Sequence, residues 1–205
     1  MLQLSQVIFG VQDLDTATRR FLDLGFEVVD GGHHPGVGTA NRVIPVGGSY
    51  LELLGVIDEE LALESAYGRS LIERTRDGDR LVRWSLRTDH IDDVAARLDL
   101  TVEDRSRARP DGIELHWQAA GLELALADPW LPFFMQWRDP EHYPAATKLD
   151  HPNGATAVAW LELTPADERL SAWTAGADAD LHVVNGVPGL HRVAVATPDG
   201  DLVIA

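Results

Sequence analysis

Apolar residues are spaced along this chain first at every second position and then at every third or fourth. The alternating stretch 4–11 predicts a β-strand, and the apolar positions of 14–24 recur at helical spacing. Asp13 is a typical N-cap for this helix, and Gly25 is the residue type that most often ends one. Further strands are predicted at 26–29, 39–46 and 50–54.

The same order of strand, helix and further strands recurs twice. The predicted helix starts, Leu14, Ile91 and Ala166, follow one another at nearly equal intervals, and Thr164-Pro165 is typical of a helix N-terminus. The remaining strands are predicted at 81–87, 101–104, 113–118, 132–137, 156–163, 181–184, 190–196 and 202–204. An α+β fold of repeated βαβββ units is therefore predicted.

These repeats divide the chain into five segments. The predicted segments are a first βαβββ unit at 1–57, a connecting helix or loop at 58–79, a second βαβββ unit at 80–138, a linker loop at 139–154 and a third, divergent βαβββ-like unit at 155–205.

Composition narrows the class of protein. Of the 205 residues, 45% are hydrophobic, which is enough for a sizeable core, and the absence of cysteine excludes disulfides and thiolate chemistry. The formal net charge of −16 repels nucleic acid and anionic lipid, so neither is expected as a partner. Residues 1–10 lack the pattern of a signal peptide and no apolar run is long enough to span a bilayer, so we expect a cytoplasmic protein.

Two stretches of the first unit carry a specific resemblance. Residues 5–28 read SQVIFGVQDLDTATRRFLDLGFEV, and 31–54 read GGHHPGVGTANRVIPVGGSYLELL. The first stretch resembles the opening unit of the vicinal oxygen chelate superfamily, which includes glyoxalase I. The second stretch, together with RPDG at 109–112 and LPFFMQW at 131–137, resembles its glyoxalase-like branch. This resemblance implies curved mixed sheets around a cavity, with the helices outside.

The resemblance also implies a divalent metal held by first and last strands of paired units. Gln6 stands seven residues before Asp13, where glyoxalase I of the eukaryotic kind has a glutamine ligand. Glu52 stands where that family has a glutamate ligand. Strand alternation places both side chains on the cavity side. They form the first half of a metal site.

The second unit lacks the other half of that site. Alternation places Arg83 at the position that matches Gln6, and a guanidinium stays protonated and cannot bind a metal ion. The last strand of this unit offers no carboxylate. We therefore predict no particular cofactor. A divalent metal would find an incomplete site. Arg83 is instead predicted to hold a ligand oxyanion or to form a structural ion pair with Glu52.

Glu52 and His34 are the predicted acid–base groups. A carboxylate within an apolar strand costs free energy unless it is paired, so a functional role is expected for it. An imidazole titrates near neutral pH. The predicted ligand contacts are Asn41, Arg83, Tyr50, Gln6 and Trp137. As alternatives, His34 could bond to the backbone of a turn-rich connector, and Trp137 could be ordinary core.

Two functions follow from this pattern. The first is a glyoxalase-like protein that binds a small organic metabolite in a sheet-lined cavity, as a lyase or isomerase using acid–base chemistry. The alternative is a non-catalytic binding protein of the resistance or sequestration type. Because three units cannot pair evenly, a homodimer is a further expectation.

Overall fold

The structure of the chain is a computed structural model that describes residues 1–109 and 111–205, so Pro110 of the RPDG motif lies outside the described residues. The helices are α1 (Leu14–Asp23), α2 (Glu59–Glu64), α3 (Ala66–Thr75), α4 (Ile91–Leu98), α5 (Leu122–Ala127) and α6 (Arg169–Trp173). The strands are β1 (Leu2–Val11), β2 (Val29–His34), β3 (Thr39–Val46), β4 (Ser49–Val56), β5 (Arg80–Arg87), β6 (Val102–Ala108), β7 (Glu114–Ala120), β8 (Phe133–Trp137), β9 (Ala157–Thr164), β10 (Ala177–Asp178), β11 (Leu181–Val183), β12 (Gly189–Thr197) and β13 (Gly200–Ile204).

The main sheet has the strand order β2-β3-β4-β1-β5-β8-β7-β6, with β10 added beside β1. Strand β1 runs parallel to β4 and antiparallel to β5, and β5 runs parallel to β8. The sheet curves until its two edges meet, where Arg107 of β6 donates a hydrogen bond to the Gly31 carbonyl of β2. The predicted α+β fold, with a curved mixed sheet around a cavity, is confirmed.

Helices α1 and α4 pack on the convex side of this sheet. Phe21 of α1 and Ile91 of α4 belong to one buried cluster with Phe9 and Trp84 of the adjoining central strands. The indole of Trp84 is fully buried and donates a hydrogen bond to the Trp130 carbonyl at 3.2 Å. Burial of each such side chain contributes roughly 1.5–3 kcal/mol, so this face stabilises the sheet and leaves the concave face available for polar groups.

A second sheet of four strands has the order β11-β9-β12-β13. Leu161 and Leu163 of β9 and Val193 and Val195 of β12 are buried in the same cluster as the helices. The opposite face carries Trp160, which is partly exposed. The strand order differs from that of the main sheet, and the proposed division of the chain into five segments stays a prediction.

Several element boundaries differ from the sequence prediction. The stretch 58–79 forms two helices, α2 and α3, that are separated at Ser65, and α6 begins at Arg169 instead of following Thr164-Pro165. Helix α5 was not predicted, β2 begins only at the end of the predicted strand 26–29, and β6 extends further along the chain than expected. Within the described residues, no helix combines the length and apolarity needed to cross a membrane.

The linker at 139–154 packs against the first unit instead of looping freely. Tyr143 is buried, and its hydroxyl donates a hydrogen bond to the Ser5 carbonyl at 2.9 Å. His151 is also buried: its Nδ1 accepts a hydrogen bond from the Glu27 backbone N–H at 3.0 Å, and its Nε2 lies 2.7 Å from the Pro45 carbonyl oxygen. These contacts fix the position of the chain before it enters β9.

We predict that Gly47→Ala destabilises the fold more than Gly48→Ala does. Both glycines of the turn between β3 and β4 have positive φ, +58° and +90°, which costs an alanine roughly 1–2 kcal/mol. A Cβ at Gly47 would also lie 2.1 Å from the backbone oxygen of Thr156, whereas one at Gly48 meets nothing within 4 Å. Urea unfolding should show an additional loss of about 1–3 kcal/mol for Gly47→Ala. Equal losses for the two variants would show that the turn does not contact the segment before β9.

Candidate functional site

The concave side of the main sheet encloses a cavity of about 340 Å³. One wall is formed by β1, β3 and β4, and the opposite wall by β6, β7 and β8. The junction of α2 and α3 at 65–67 and one face of α5 complete the enclosure. Six of the predicted site residues line this cavity: Gln6, His34, Asn41, Tyr50, Glu52 and Trp137.

Two rows of paired residues cross the centre of the sheet. In one row, Tyr50 of β4, Gln6 of β1 and Ser85 of β5 are neighbours. In the next row, Ile8 of β1 separates Glu52 of β4 from Arg83 of β5. Side chains paired across strands share a face. The structure therefore brings Gln6, Glu52 and Arg83 to one side of the sheet, with two inter-strand spacings, roughly 10 Å of backbone, between Glu52 and Arg83.

Glu52 has one direct hydrogen-bond donor. Its side chain is 4% exposed, and its Oε1 accepts a hydrogen bond from Asn41 Nδ2 at 2.7 Å. Burial raises the pKa of the Glu52 carboxyl above its ordinary value, although Asn41 and the positive charges of Arg107 and Arg83 act in the opposite direction. The Glu52 carboxyl therefore releases its proton at a higher pH than the carboxyl of an exposed glutamate does.

Arg107 is the cavity residue that the sequence prediction missed. It is buried, and its Nη1 donates to the Gly31 carbonyl and to Asn41 Oδ1, the latter at 3.4 Å. Asn41 in turn donates to Glu52, so the three side chains form one chain of contacts. The predicted strand ended at Asp104, which excluded Arg107 from the sheet. The alternation of arginines at 105, 107 and 109 was the signal that could have extended it.

Arg83 lies immediately behind the cavity wall. Its side chain is fully buried, and none of its three nitrogens has a hydrogen-bond partner among the described residues. Its guanidinium carbon stands 4.2 Å from the ring centroid of Tyr67, which lines the cavity. The predicted ion pair with Glu52 would need a nitrogen–oxygen distance of at most about 4 Å, and no such pair joins Arg83 to Glu52 among the described residues. That alternative for Arg83 is therefore wrong for this conformation.

His34 is held in a polar and aromatic setting. Its Nδ1 lies 2.9 Å from Thr39 Oγ1, and its ring packs edge-on against Tyr67. Burial, followed by the positive charge of Arg107, lowers the pKa of His34 to about 3. The imidazole is consequently neutral at physiological pH and has no second proton to donate there.

The remaining wall is aromatic and apolar. Trp137 packs against Trp117 at 5.3 Å between ring centroids and against Tyr143 at 5.5 Å. Phe133 and Met135 of β8 lie on the same wall. The cavity therefore has a polar half, formed by Glu52, Asn41 and Arg107, and an apolar half that suits a planar or hydrophobic group.

The fold and this cavity define a class of protein in which βαβββ units surround a small-molecule site. A family model described as "Glyoxalase-like domain" matches residues 6–177, which is most of the chain. The chain belongs to this glyoxalase-like domain family, and the resemblance to the vicinal oxygen chelate superfamily is confirmed. No curated protein matches the chain.

Solved structures share the fold at low sequence identity. A hypothetical protein from Staphylococcus aureus has a TM-score of 0.67 and 16% identity, over 99% of this chain and 84% of that one. The Mn(II)-bound glyoxalase from Novosphingobium aromaticivorans has a TM-score of 0.53 and 13% identity, over 98% and 79%. A mutant of 4-hydroxymandelate synthase from Streptomyces coelicolor has a TM-score of 0.54 and 14% identity, over 98% and 62%. These likenesses establish the architecture alone.

The donor groups of the cavity do not fit a divalent metal ion. Each of the two predicted ligands accepts one hydrogen bond from a neighbouring side chain, since Tyr50 donates to Gln6 Oε1 and Asn41 donates to Glu52 Oε1. Across 1–109 and 111–205, no three His, Cys, Asp or Glu side chains are grouped so that they could hold a metal ion. The charges of Arg83 and Arg107, which both act on Glu52, would repel a cation bound at this carboxylate.

We predict that Glu52→Gln stabilises the fold increasingly as pH rises. Because burial raises the pKa of Glu52, the folded protein binds this proton more tightly than the unfolded chain, and stability declines as pH rises from the unfolded pKa through the raised folded pKa. The free energy of unfolding of the variant, measured in urea, should differ little from wild type near pH 4. It should exceed wild type progressively as pH rises above the unfolded pKa, and the difference should level off once pH passes the raised folded pKa.

Glu162→Gln is the matched control, because its pKa is shifted in the other direction. Arg192 donates two hydrogen bonds to this carboxylate and lowers its pKa. Its contribution to stability is present above the unfolded pKa and is lost as pH falls through the folded value. Glu162→Gln should therefore cost most near neutral pH. The same pH trend in both variants would contradict the assignment for Glu52.

Proposed function

We propose that this protein binds a small organic metabolite in the cavity and acts on it as a lyase or isomerase, with Glu52 as the acid–base group. One observation carries the proposal: a buried carboxyl with a raised pKa faces a cavity that also contains a buried arginine. Such perturbed groups in concave sites are typical of catalytic centres. Fold alone would not support a reaction, because one fold hosts many functions.

The chemistry that suits this arrangement is proton transfer at a carbon next to a carbonyl. Glu52 would accept the proton from the carbon, and the electron pair of the broken C–H bond would move to the carbonyl oxygen. Arg107 is the cationic group in contact with the Asn41–Glu52 pair, and it would stabilise the resulting enolate. Return of the proton to another position gives an isomerase, and expulsion of a leaving group gives a lyase.

A non-catalytic binding protein is the second candidate function, and one observation favours it. Few groups near Glu52 could exchange a proton with it. Burial raises the pKa of Tyr50 well above its ordinary value and keeps this hydroxyl protonated. His34 is held neutral by its lowered pKa. A reaction that needs separate acid and base groups would lack one of them. A homodimer and a cytoplasmic location stay predictions from the sequence.

Proton exchange into solvent tests the catalytic proposal directly. Pyruvate, 2-oxobutanoate, phenylpyruvate and dihydroxyacetone would be incubated with the protein in D₂O, and exchange of the protons beside the carbonyl followed by NMR. We expect faster exchange with at least one compound. Glu52→Gln should lower that rate by about 10²–10⁴-fold, the usual contribution of a positioned general base.

Glu123→Gln is the matched control for this experiment. Glu123 also lines the cavity, but its side chain is exposed, so its loss should leave the exchange rate unchanged. Saturable binding of these compounds without exchange would reject catalysis and support the binding protein. An equal loss of rate in both variants would show that the total charge of the cavity matters and that Glu52 is not the base.

A further inference from the structure

The guanidinium of Arg83 is buried without the partners that a charged group needs. It is fully buried, and its Nε, Nη1 and Nη2 all lack hydrogen-bond partners among residues 1–109 and 111–205. An arginine cannot shed its charge as a buried lysine can. The positive charge is therefore retained in a position where no carboxylate of the described residues forms a hydrogen bond with it.

Its immediate surroundings compensate this charge only in part. The ring of Tyr67 lies 4.2 Å from the guanidinium carbon, which gives a cation–π contact. Such a contact is weaker than the desolvation penalty of a buried ion. Glu52, in the same cross-strand row, is separated from Arg83 by Ile8 and accepts its hydrogen bond from Asn41. The fold thus positions an anion-binding group without supplying the anion.

Around the cavity of this strongly acidic protein, buried positive charge exceeds buried negative charge. Arg83 and Arg107 are both buried, and Glu52 is the buried carboxylate on which both of them act. The formal net charge of the whole chain is −16. Two buried guanidinium groups, Arg107 in the cavity wall and Arg83 behind it, outnumber the one buried carboxyl, and they favour an anionic occupant.

We propose that Arg83 binds the carboxylate of an organic anion, and that Tyr67 covers Arg83 until this ligand enters. The inference rests on the proposed function and deepens it by naming the ligand class, a small carboxylate with an apolar or aromatic body. The carboxylate makes a bidentate contact with the guanidinium, and the body of the ligand packs against Trp117, Phe133 and Trp137. The positive charge at this site comes from an arginine of the chain and not from a bound metal ion.

The position of Tyr67 suits a cover. Tyr67 is the second residue of α3 and follows Ser65, where α2 ends and α3 begins. The cavity wall includes Ser65, Ala66 and Tyr67, so this helix junction separates Arg83 from the cavity. Rotation of the Tyr67 side chain about its χ1 bond would move the ring that lies between the guanidinium and the cavity.

Calorimetric titration with phenylacetate and its neutral analogue phenylacetamide tests the proposal. We expect phenylacetate to bind the wild type at least tenfold more tightly than phenylacetamide. Arg83→Met should lose at least tenfold in affinity for phenylacetate and bind phenylacetamide unchanged. Its melting temperature should equal or exceed that of the wild type, because the variant removes an uncompensated buried charge.

Arg87→Met is the matched control on the same strand. Arg87 also lies over an aromatic ring, 5.3 Å from that of Tyr143, but it lines a separate cavity of about 290 Å³ between the two sheets. Its loss should leave phenylacetate binding unchanged. Tyr67→Ala should bind phenylacetate at least as tightly as the wild type, because the cover is removed. A tenfold weaker affinity in Tyr67→Ala would overturn the covering role.

Several outcomes would overturn the role of Arg83. Unchanged phenylacetate binding in Arg83→Met, or a loss confined to Arg107→Met, would place the anion elsewhere. An Arg83→Met protein that does not fold, together with an Arg83→Lys protein that folds and binds phenylacetate as the wild type does, would show that the positive charge supports the fold and that bidentate binding is absent. Arg83-dependent binding without proton exchange on any tested carbonyl compound would leave the anion site standing and reject the catalytic proposal.

Discussion

The antiparallel pairing of β1 with β5 is the constraint on which the rest of the structure depends. It joins the first half of the main sheet to the second, and it sets which side chains are neighbours on the concave face. Glu52, Ile8 and Arg83 fall in one row because β1 pairs with β4 on one side and with β5 on the other. A shift of one residue in this register would turn Glu52 or Arg83 toward the helices, where an unpaired charge is far more costly.

The same β1–β5 pairing explains why the charge of the cavity differs from the charge that the family resemblance implied. The first half brings Gln6 and Glu52, two oxygen donors, to the concave face. The second half brings arginine, and Arg107 at the far edge adds another, so cationic side chains act on the carboxyl where a metal ion was implied. Each donor oxygen then takes a hydrogen bond from a neighbouring side chain, Tyr50 or Asn41. Electrostatics in this cavity thus favour anions over cations.

Much of this architecture could be predicted from the sequence, because the apolar alternation of β1 and β4 and the helical spacing of α1 and α4 are strong local signals. Other features depend on tertiary contacts. Val82 lies in the concave cluster with Ile8, because an irregularity in the β1–β5 register interrupts the alternation along β5. Arg107 was missed because its strand is polar along most of its length and is ordered by closure of the sheet, which no short window of sequence shows.

The packing of the linker at 139–154 limits how such a chain can change during evolution. Tyr143 packs against Tyr50 and Trp137 at the edge of the cavity, and His151 joins the same segment to the backbone of the first unit. The segment that connects the two sheets therefore packs behind two residues of the cavity wall, Tyr50 and Trp137. A chain built from repeated units is usually open to loss or exchange of its terminal unit. Here, recombination that replaced everything after 138 would remove the packing behind Tyr50 and Trp137, so the terminal part and the cavity wall would have to change together.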